Sequence, residues 1–139
     1  MKWQELAATS HYQTAVKVQQ NLLQGNTEEA IVGIEELVEA LSRADRRALR
    51  SQLLRLMTHI IKRETQPTQR SRSWAATIEN ARIEIESLLE DEPDLRPIVP
   101  TWLKELFEKA RRMAEKEMGQ TTAIAALTWQ QVFEDEYDL

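Results

Sequence analysis

The sequence contains no cysteine, and this absence removes several kinds of chemistry at once. Disulfide bonds, thiol catalysis, iron–sulfur clusters and cysteine-based zinc sites are all excluded. A chain without cysteine fits a reducing compartment, and we expect the protein to be cytoplasmic. There is also no glycine-rich phosphate-binding loop, and we expect neither a cofactor nor a metal.

Glycine and proline are scarce, with three and four residues among 139, which is too few for the many turns of an all-β fold. No stretch approaches the roughly 18 apolar residues of a membrane-spanning helix, and the first residues lack the apolar segment of a signal peptide. The net charge of −5 argues against a general nucleic-acid-binding protein but allows a local basic patch. The composition therefore favours an all-α protein.

Apolar residues recur at helical spacing along most of the chain. We predict a single domain over residues 1–139, built as an antiparallel bundle of four to five long helices plus a short terminal helix. The core bundle covers about residues 27–119, and residues 134–139 form an acidic tail. Five long helices are predicted, with bounds 2–24, 27–41, 43–64, from a cap at Ser71 or Ser73 to about residue 90, and 100–118. Gly119 ends the last of them. The apolar stripe of helix 43–64 consists of Leu49, Leu53, Leu56, Met57 and Ile60. Trp74 falls on the buried apolar stripe of the fourth helix. A short terminal helical region is predicted over residues 121–133, with Thr128 and Gln131 as a capping box.

Two stretches resemble a known family, EELVEALSRADRRALRSQLLRLMTHIIK and QPTQRSRSWAATIENARIEIESLLEDEPDLRP. The most specific features are the Gln-Pro pair, the Arg-Ser-x-Ser-Trp entry to the fourth helix and the closing Leu-Arg-Pro. Through them the chain resembles the mainly cyanobacterial family catalogued as domain of unknown function 29. The resemblance covers nearly the whole chain and implies an all-helical, single-domain protein. Because the family has no established biochemical function, the resemblance implies no catalytic or binding residue.

The region from Arg43 to Arg72 is basic, with nine lysines and arginines against two acids. It either neutralises the acidic helix before it or binds an anionic partner, a protein or a nucleic acid. Two arginines of this region lie near the apolar stripe of the third helix, where an arginine needs a carboxylate partner. We therefore predict structural ion pairs across the hairpin between the second and third helices. The residues of these pairs are Arg46, Arg50, Glu35 and Glu39.

Two further candidate sites lie outside the apolar core. The start of the fourth helix carries Arg70, Ser71 and Arg72, which could hold a phosphate or carboxylate or simply cap the helix. The aromatic residues Trp129, Phe133 and Tyr137 recur every four residues and would form one stripe on a helix. That stripe either docks on the protein's own bundle or binds a partner.

No set of residues points firmly to catalysis. Arg55 and His59 are spaced more closely than the arginine–histidine pair of HEPN-type ribonucleases, and no acid–base couple is apparent. Whether the protein is an enzyme stays open, but the residues favour a non-catalytic interaction or assembly module. Its partner would be an unknown protein, either a different protein or a second copy of the same chain. The alternative is a nucleic-acid-associated or ribonuclease-like helical protein that uses the basic region 43–72.

Overall fold

The computed structural model describes residues 2–66 and 72–137, and every regular element among them is helical. The prediction of an all-α fold is therefore confirmed. In chain order the elements are α1 (Trp3–Thr9), α2 (His11–Leu23), α3 (Thr27–Thr65), α4 (Arg72–Asp91), a 3₁₀ segment (Pro93–Ile98), α5 (Val99–Met118) and a π-helical turn (Gln130–Glu134). Within the described ranges, each helix is too short or too polar to span a bilayer.

The predicted first helix is two helices, because Ser10 interrupts it. Ser10 is extended, with φ −154° and ψ 113°, and its hydroxyl accepts a hydrogen bond from the backbone N–H of Gln13 at 3.1 Å. Ser-His-Tyr-Gln therefore begins a new helix, as serine does at the N-cap. The same signal is visible in the sequence and went unused there.

The predicted second and third helices are one helix, so the expected hairpin at Ser42 is wrong. Residues 34–66 contain neither glycine nor proline, and α3 runs unbroken from Thr27 to Thr65. Relative to alanine, a serine inside a helix lowers helix stability by roughly 0.5 kcal/mol, whereas a proline lowers it by ~3 kcal/mol. Without a stronger stop signal, the good helix formers around Ser42 continue the helix.

The chain forms two compact units, Met1–Arg47 and Ala48–Leu139, and α3 begins in the first and ends in the second. The second unit holds the main core, which starts at Leu49 and includes Val132, whereas the predicted bundle covered residues 27–119. The stripe predicted for the second half of α3 is fully buried there. It consists of Leu49, Leu53, Leu56, Met57 and Ile60. Burying each such side chain contributes roughly 1.5–3 kcal/mol, which makes this stripe the main support of the second unit.

The ends of α4 and α5 follow the sequence signals in part. Gly119 ends α5 in the left-handed conformation, with φ 70°, as its position predicts. Trp74 lies only half-buried, with the Lys62 ammonium 5.1 Å from the centre of its ring, and Ile78 one turn later is the first buried residue of that stripe. The predicted stripe is therefore buried from Ile78 onward, and Trp74 at its start is only partly buried.

Residues 120–128 carry no regular structure, although the sequence suggested a helix there. The segment is attached to the end of α3 and to α5 by side-chain hydrogen bonds. The hydroxyls of Thr65 and Thr122 are 2.7 Å apart, and the Glu115 carboxylate accepts from the Thr122 N–H at 2.9 Å. Ile124 and Leu127 pack on the main core. These contacts hold the approach to the C-terminal turn.

The first unit has a smaller core, centred on the indole of Trp3. The ring N–H donates to the Glu29 carboxylate at 2.8 Å, and the ring lies directly over Gly33. A Cβ at Gly33 would come within 2.6 Å of the ring, closer than real side chains approach one another. Only glycine allows this contact between α1 and α3.

Replacing Gly33 by alanine should destabilise the protein. Helix propensity alone would favour alanine by about 1 kcal/mol, but forcing the Trp3 ring aside should cost ~1–3 kcal/mol. Urea denaturation of the wild-type protein, G33A, W3L and the W3L/G33A double variant measures both effects. In the W3L background the same change should be neutral or stabilising. A stabilising G33A in the wild-type background would contradict the close contact.

Candidate functional site

The second unit has an open groove of about 480 Å³ between α4, the start of α5 and the C-terminal turn. Its lining combines an apolar floor with a few charged side chains at the rim. The lining residues are Arg82, Ile85, Glu86, Leu89, Arg96, Val99, Trp129 and Phe133. A groove of this size can hold one or two large apolar side chains or a small molecule.

The floor of the groove comes from core positions of two helices. Ile85 and Leu89 are one turn apart on α4, and Val99 is the first residue of α5. All three are buried, so the apolar surface that they present at the bottom of the groove is an edge of the main core. Their positions are therefore as fixed as the core itself.

The wall of the groove is formed by Trp129 and Phe133 on the C-terminal turn. The predicted capping box is present: the Thr128 N–H donates to the Gln131 side chain at 2.8 Å, and the Gln131 N–H donates to the Thr128 hydroxyl at 3.1 Å. The two rings are stacked at an angle, with their centroids 4.5 Å apart. The Trp129 side chain is 48% exposed, although it is the largest apolar group at the site.

Arg82 on α4 holds this turn in place. Its Nε donates to the carbonyl of Val132 at 2.8 Å, and its Nη2 donates to the carbonyl of Gln131 at 3.2 Å. The last carbonyls of a helix lack partners within the helix and carry partial negative charge, so a cation stabilises them. Val132 is fully buried beneath the turn. Arg82 therefore fixes the segment that carries Trp129 and Phe133.

Tyr137 also contacts both the C-terminal turn and Arg82. Its hydroxyl donates to the Gln131 carbonyl at 2.6 Å, and the guanidinium groups of Arg82 and Arg63 lie 5.3 and 5.0 Å from its ring centre. Burial, followed by the negative charges of Glu64 and Asp135, raises the pKa of the Tyr137 phenol to about 12. The neutral phenol is thus the form that fits the folded chain.

The rim of the groove carries an ion pair between Arg96 and Glu86. Their nearest nitrogen and oxygen are 2.8 Å apart, and the bond to Glu86 raises the pKa of Arg96. Both side chains are about half-exposed, so the pair contributes little to stability. The pair does, however, neutralise the positive charge of Arg96 with the negative charge of Glu86 at the rim.

The predicted aromatic stripe is thus divided. Trp129 and Phe133 line the groove, whereas the helical turn ends at Glu134 and Tyr137 packs against Arg82 and Arg63. That the stripe binds a partner stays a prediction. Two residues of the candidate anion site, Arg70 and Ser71, lie outside the described residues, and so does the side chain of Arg72. That site also stays a prediction.

The predicted ion pairs had been assigned to a hairpin that does not exist, because all four residues lie on the continuous α3. Glu39 pairs with Arg43 one turn later, at 3.2 Å, and Arg50 lies 5.0 Å over the ring of Trp102. Within the described part of the chain, neither Arg46 nor Glu35 takes part in a salt bridge. On one helix the spacing between these arginines and glutamates, rather than a hairpin, decides which can meet.

The basic region is partly used by the protein itself. Lys62 binds Glu117 at 3.0 Å, and Arg63 is buried beneath the Tyr137 ring. His59 is only partly exposed. Burial lowers its pKa, and its Nδ1 lies 2.9 Å from the Arg55 carbonyl. Across residues 2–66 and 72–137, no three histidine, aspartate or glutamate side chains gather as a metal site would require.

The comparison with protein families matches residues 9–138 to the model described as domain of unknown function DUF29. The chain belongs to the DUF29 family. The resemblance inferred from the Arg-Ser-x-Ser-Trp stretch is therefore confirmed. No curated protein and no solved structure matches the chain. In this DUF29 chain, the groove is therefore the feature that points to a function.

Sequence reasoning missed Arg82 and the Arg96–Glu86 pair of this DUF29 chain. One signal was available for Arg82, since it is the only basic residue between Ser73 and Leu95, where acids are frequent. It also follows directly after the buried Ala81, so its side chain begins next to the core. Its carbonyl partners are about fifty residues away in sequence, and no local pattern identifies them.

Tyr137 should titrate near pH 12 in a Y12F variant of this DUF29 chain, which leaves it as the only tyrosine. The folded protein keeps the phenol protonated at a pH where the unfolded chain, with an ordinary value of 10.0, has released it. The free energy of unfolding should therefore fall as the pH rises from about 10 to about 12.

Phenolate absorbance of Y12F gives the midpoint, and denaturation at each pH gives the stability. A Y12F/Y137F variant is the control and should lose this part of the pH dependence. A midpoint near the ordinary value of 10 would show that the Tyr137 ring does not pack as described.

Proposed function

We propose that this DUF29 protein is a non-catalytic helical module that binds a protein partner in the groove beside Trp129. The observation that carries the proposal is the exposure of Trp129 on the wall of an apolar groove. Tryptophan is among the residues that dominate the energy of protein interfaces, and it does so where a pocket lies beside it. A partner that covered the exposed half of this ring would gain roughly 25 cal/mol for each Å² of apolar surface removed from water.

The charged groups at the groove support a protein partner rather than a small metabolite. Sites for small molecules combine an apolar lining with a few polar groups that are free to orient the ligand. Here Arg82 donates to two backbone carbonyls, and Arg96 is engaged with Glu86. What the groove offers is mainly apolar surface, which suits the apolar face of a helix inserted by another protein.

The nucleic-acid alternative receives less support from the same chain. Arg50, Lys62 and Arg63 are engaged with Trp102, Glu117 and Tyr137, which reduces the positive charge available to phosphates. It stays an untested prediction. A cytoplasmic location is part of our proposal and rests on the cysteine-free composition.

Replacing Trp129 by alanine should abolish capture of the partner from a lysate of the native organism. With the purified partner, calorimetric titration should show affinity reduced by about 30-fold or more, since a central tryptophan contributes ~2 kcal/mol or more. Y12A is the matched control, because Tyr12 is an aromatic residue 73% exposed on the first unit. Equal losses in both variants, or unchanged binding by W129A, would contradict the proposal.

A further inference from the structure

Exposed large apolar side chains are concentrated on the first unit, which holds about a third of the chain. The second unit exposes Ile83, Met113 and Trp129. The first unit exposes Tyr12, Leu22, Leu23, Ile31, Val32, Ile34, Val38 and Leu41. A unit of this size rarely buries enough surface alone, and small domains commonly compensate by disulfides, metals or association. With no cysteine in the chain, disulfides are excluded.

The first half of α3 has two neighbouring apolar stripes. One stripe is buried within the first unit and consists of Ala30, Gly33, Leu37 and Ala40. The other stripe, which we call the outer stripe, consists of Ile31, Ile34, Val38 and Leu41. Its side chains are larger but remain between 42% and 61% exposed. The prediction that helix 27–41 belongs to one shared core is therefore only partly right, because the outer stripe faces water.

The outer stripe has the spacing of a coiled-coil seam. Its members are separated by three, four and three residues, which is the alternation of the two core positions of a heptad repeat. Branched side chains occupy all four positions. Such a seam fits a second helix that presents the same spacing, and this helix is present in every copy of the chain.

Charge along α3 determines how a second copy would lie. The charged residues of α3 before position 42 are acidic, and those that follow it, up to Arg50, are mainly basic. The acidic residues are Glu28, Glu29, Glu35, Glu36 and Glu39, and the basic ones are Arg43, Arg46, Arg47 and Arg50. A parallel pair would place acid beside acid and base beside base. An antiparallel pair in which the outer stripes meet places Glu28 and Glu29 of each helix beside Arg43 and Arg46 of the other, while Glu35, Glu36 and Glu39 of both copies lie near the centre.

We infer that two copies of this chain associate through the outer stripes of their α3 helices in antiparallel orientation. In this arrangement Ile31 of one copy meets Leu41 of the other, and Ile34 meets Val38. Arg43 already binds Glu39 within its own helix, but such a surface pair is weak and leaves both groups accessible. The inference concerns the first unit and does not depend on the groove of the second.

Sedimentation velocity over a series of concentrations tests the association. The wild-type chain should form dimers, and V38D should raise the dimer dissociation constant roughly tenfold or more, since a carboxylate would enter the seam. V32D is the matched control, because Val32 is an exposed valine on the same helix but away from the outer stripe. It should dimerise like the wild type. A chain that is monomeric at every concentration, or equal effects of V32D and V38D, would overturn the inference.

Single cysteines test the orientation, because the chain has none of its own. A mixture of I31C and L41C should oxidise mainly to the mixed disulfide between the two variants. Added NaCl should weaken the dimer, since opposite charges across the interface are screened. Disulfides formed mainly between two I31C copies, or a dimer that salt strengthens, would contradict the antiparallel arrangement.

Discussion

The position of the C-terminal turn depends on one arginine of α4. Arg82 donates to the carbonyls of Gln131 and Val132, and these are groups that a five-residue helical turn cannot satisfy internally. The Tyr137 hydroxyl donates to the first of these carbonyls, and the Arg82 guanidinium lies over its ring. A segment preceded by nine residues without regular structure is thereby held against the main core.

This attachment creates the groove, because its wall belongs to the turn and its floor to the core. Ile85 and Leu89 would be an exposed edge of α4 without Trp129 and Phe133 beside them. The turn covers part of this edge and leaves Trp129 half-exposed. The outer stripe of α3 is apolar surface of another kind, a row of partly exposed side chains along one helix. The protein thus presents two apolar surfaces with different shapes, a groove suited to inserted side chains and a stripe suited to packing against an antiparallel helix.

The sequence predicted those features that local patterns determine. The buried stripe of α3 from Leu49 to Ile60, the left-handed Gly119 and the Thr128–Gln131 capping box all follow from spacing and residue type. Periodicity also found the apolar residues of helix 27–41, but it could not show that Ala30 faces inward while Val38 faces water. Ser42 resembles a cap, yet only a stop signal stronger than serine would have ended the helix. The role of Arg82 depends on carbonyls far along the chain, which residue type does not reveal.

Amide hydrogen exchange at Val132 and Asp135 tests most directly whether Arg82 holds the turn, because both amides are hydrogen-bonded within it, to Thr128 and Gln130. In R82Q these two amides should lose most of their protection, while amides in the middle of α5 keep theirs. R96Q is the comparison, since Arg96 lies at the same groove but binds a side chain, Glu86. It should retain wild-type exchange. Protection of Val132 and Asp135 that is unchanged in R82Q would contradict the account.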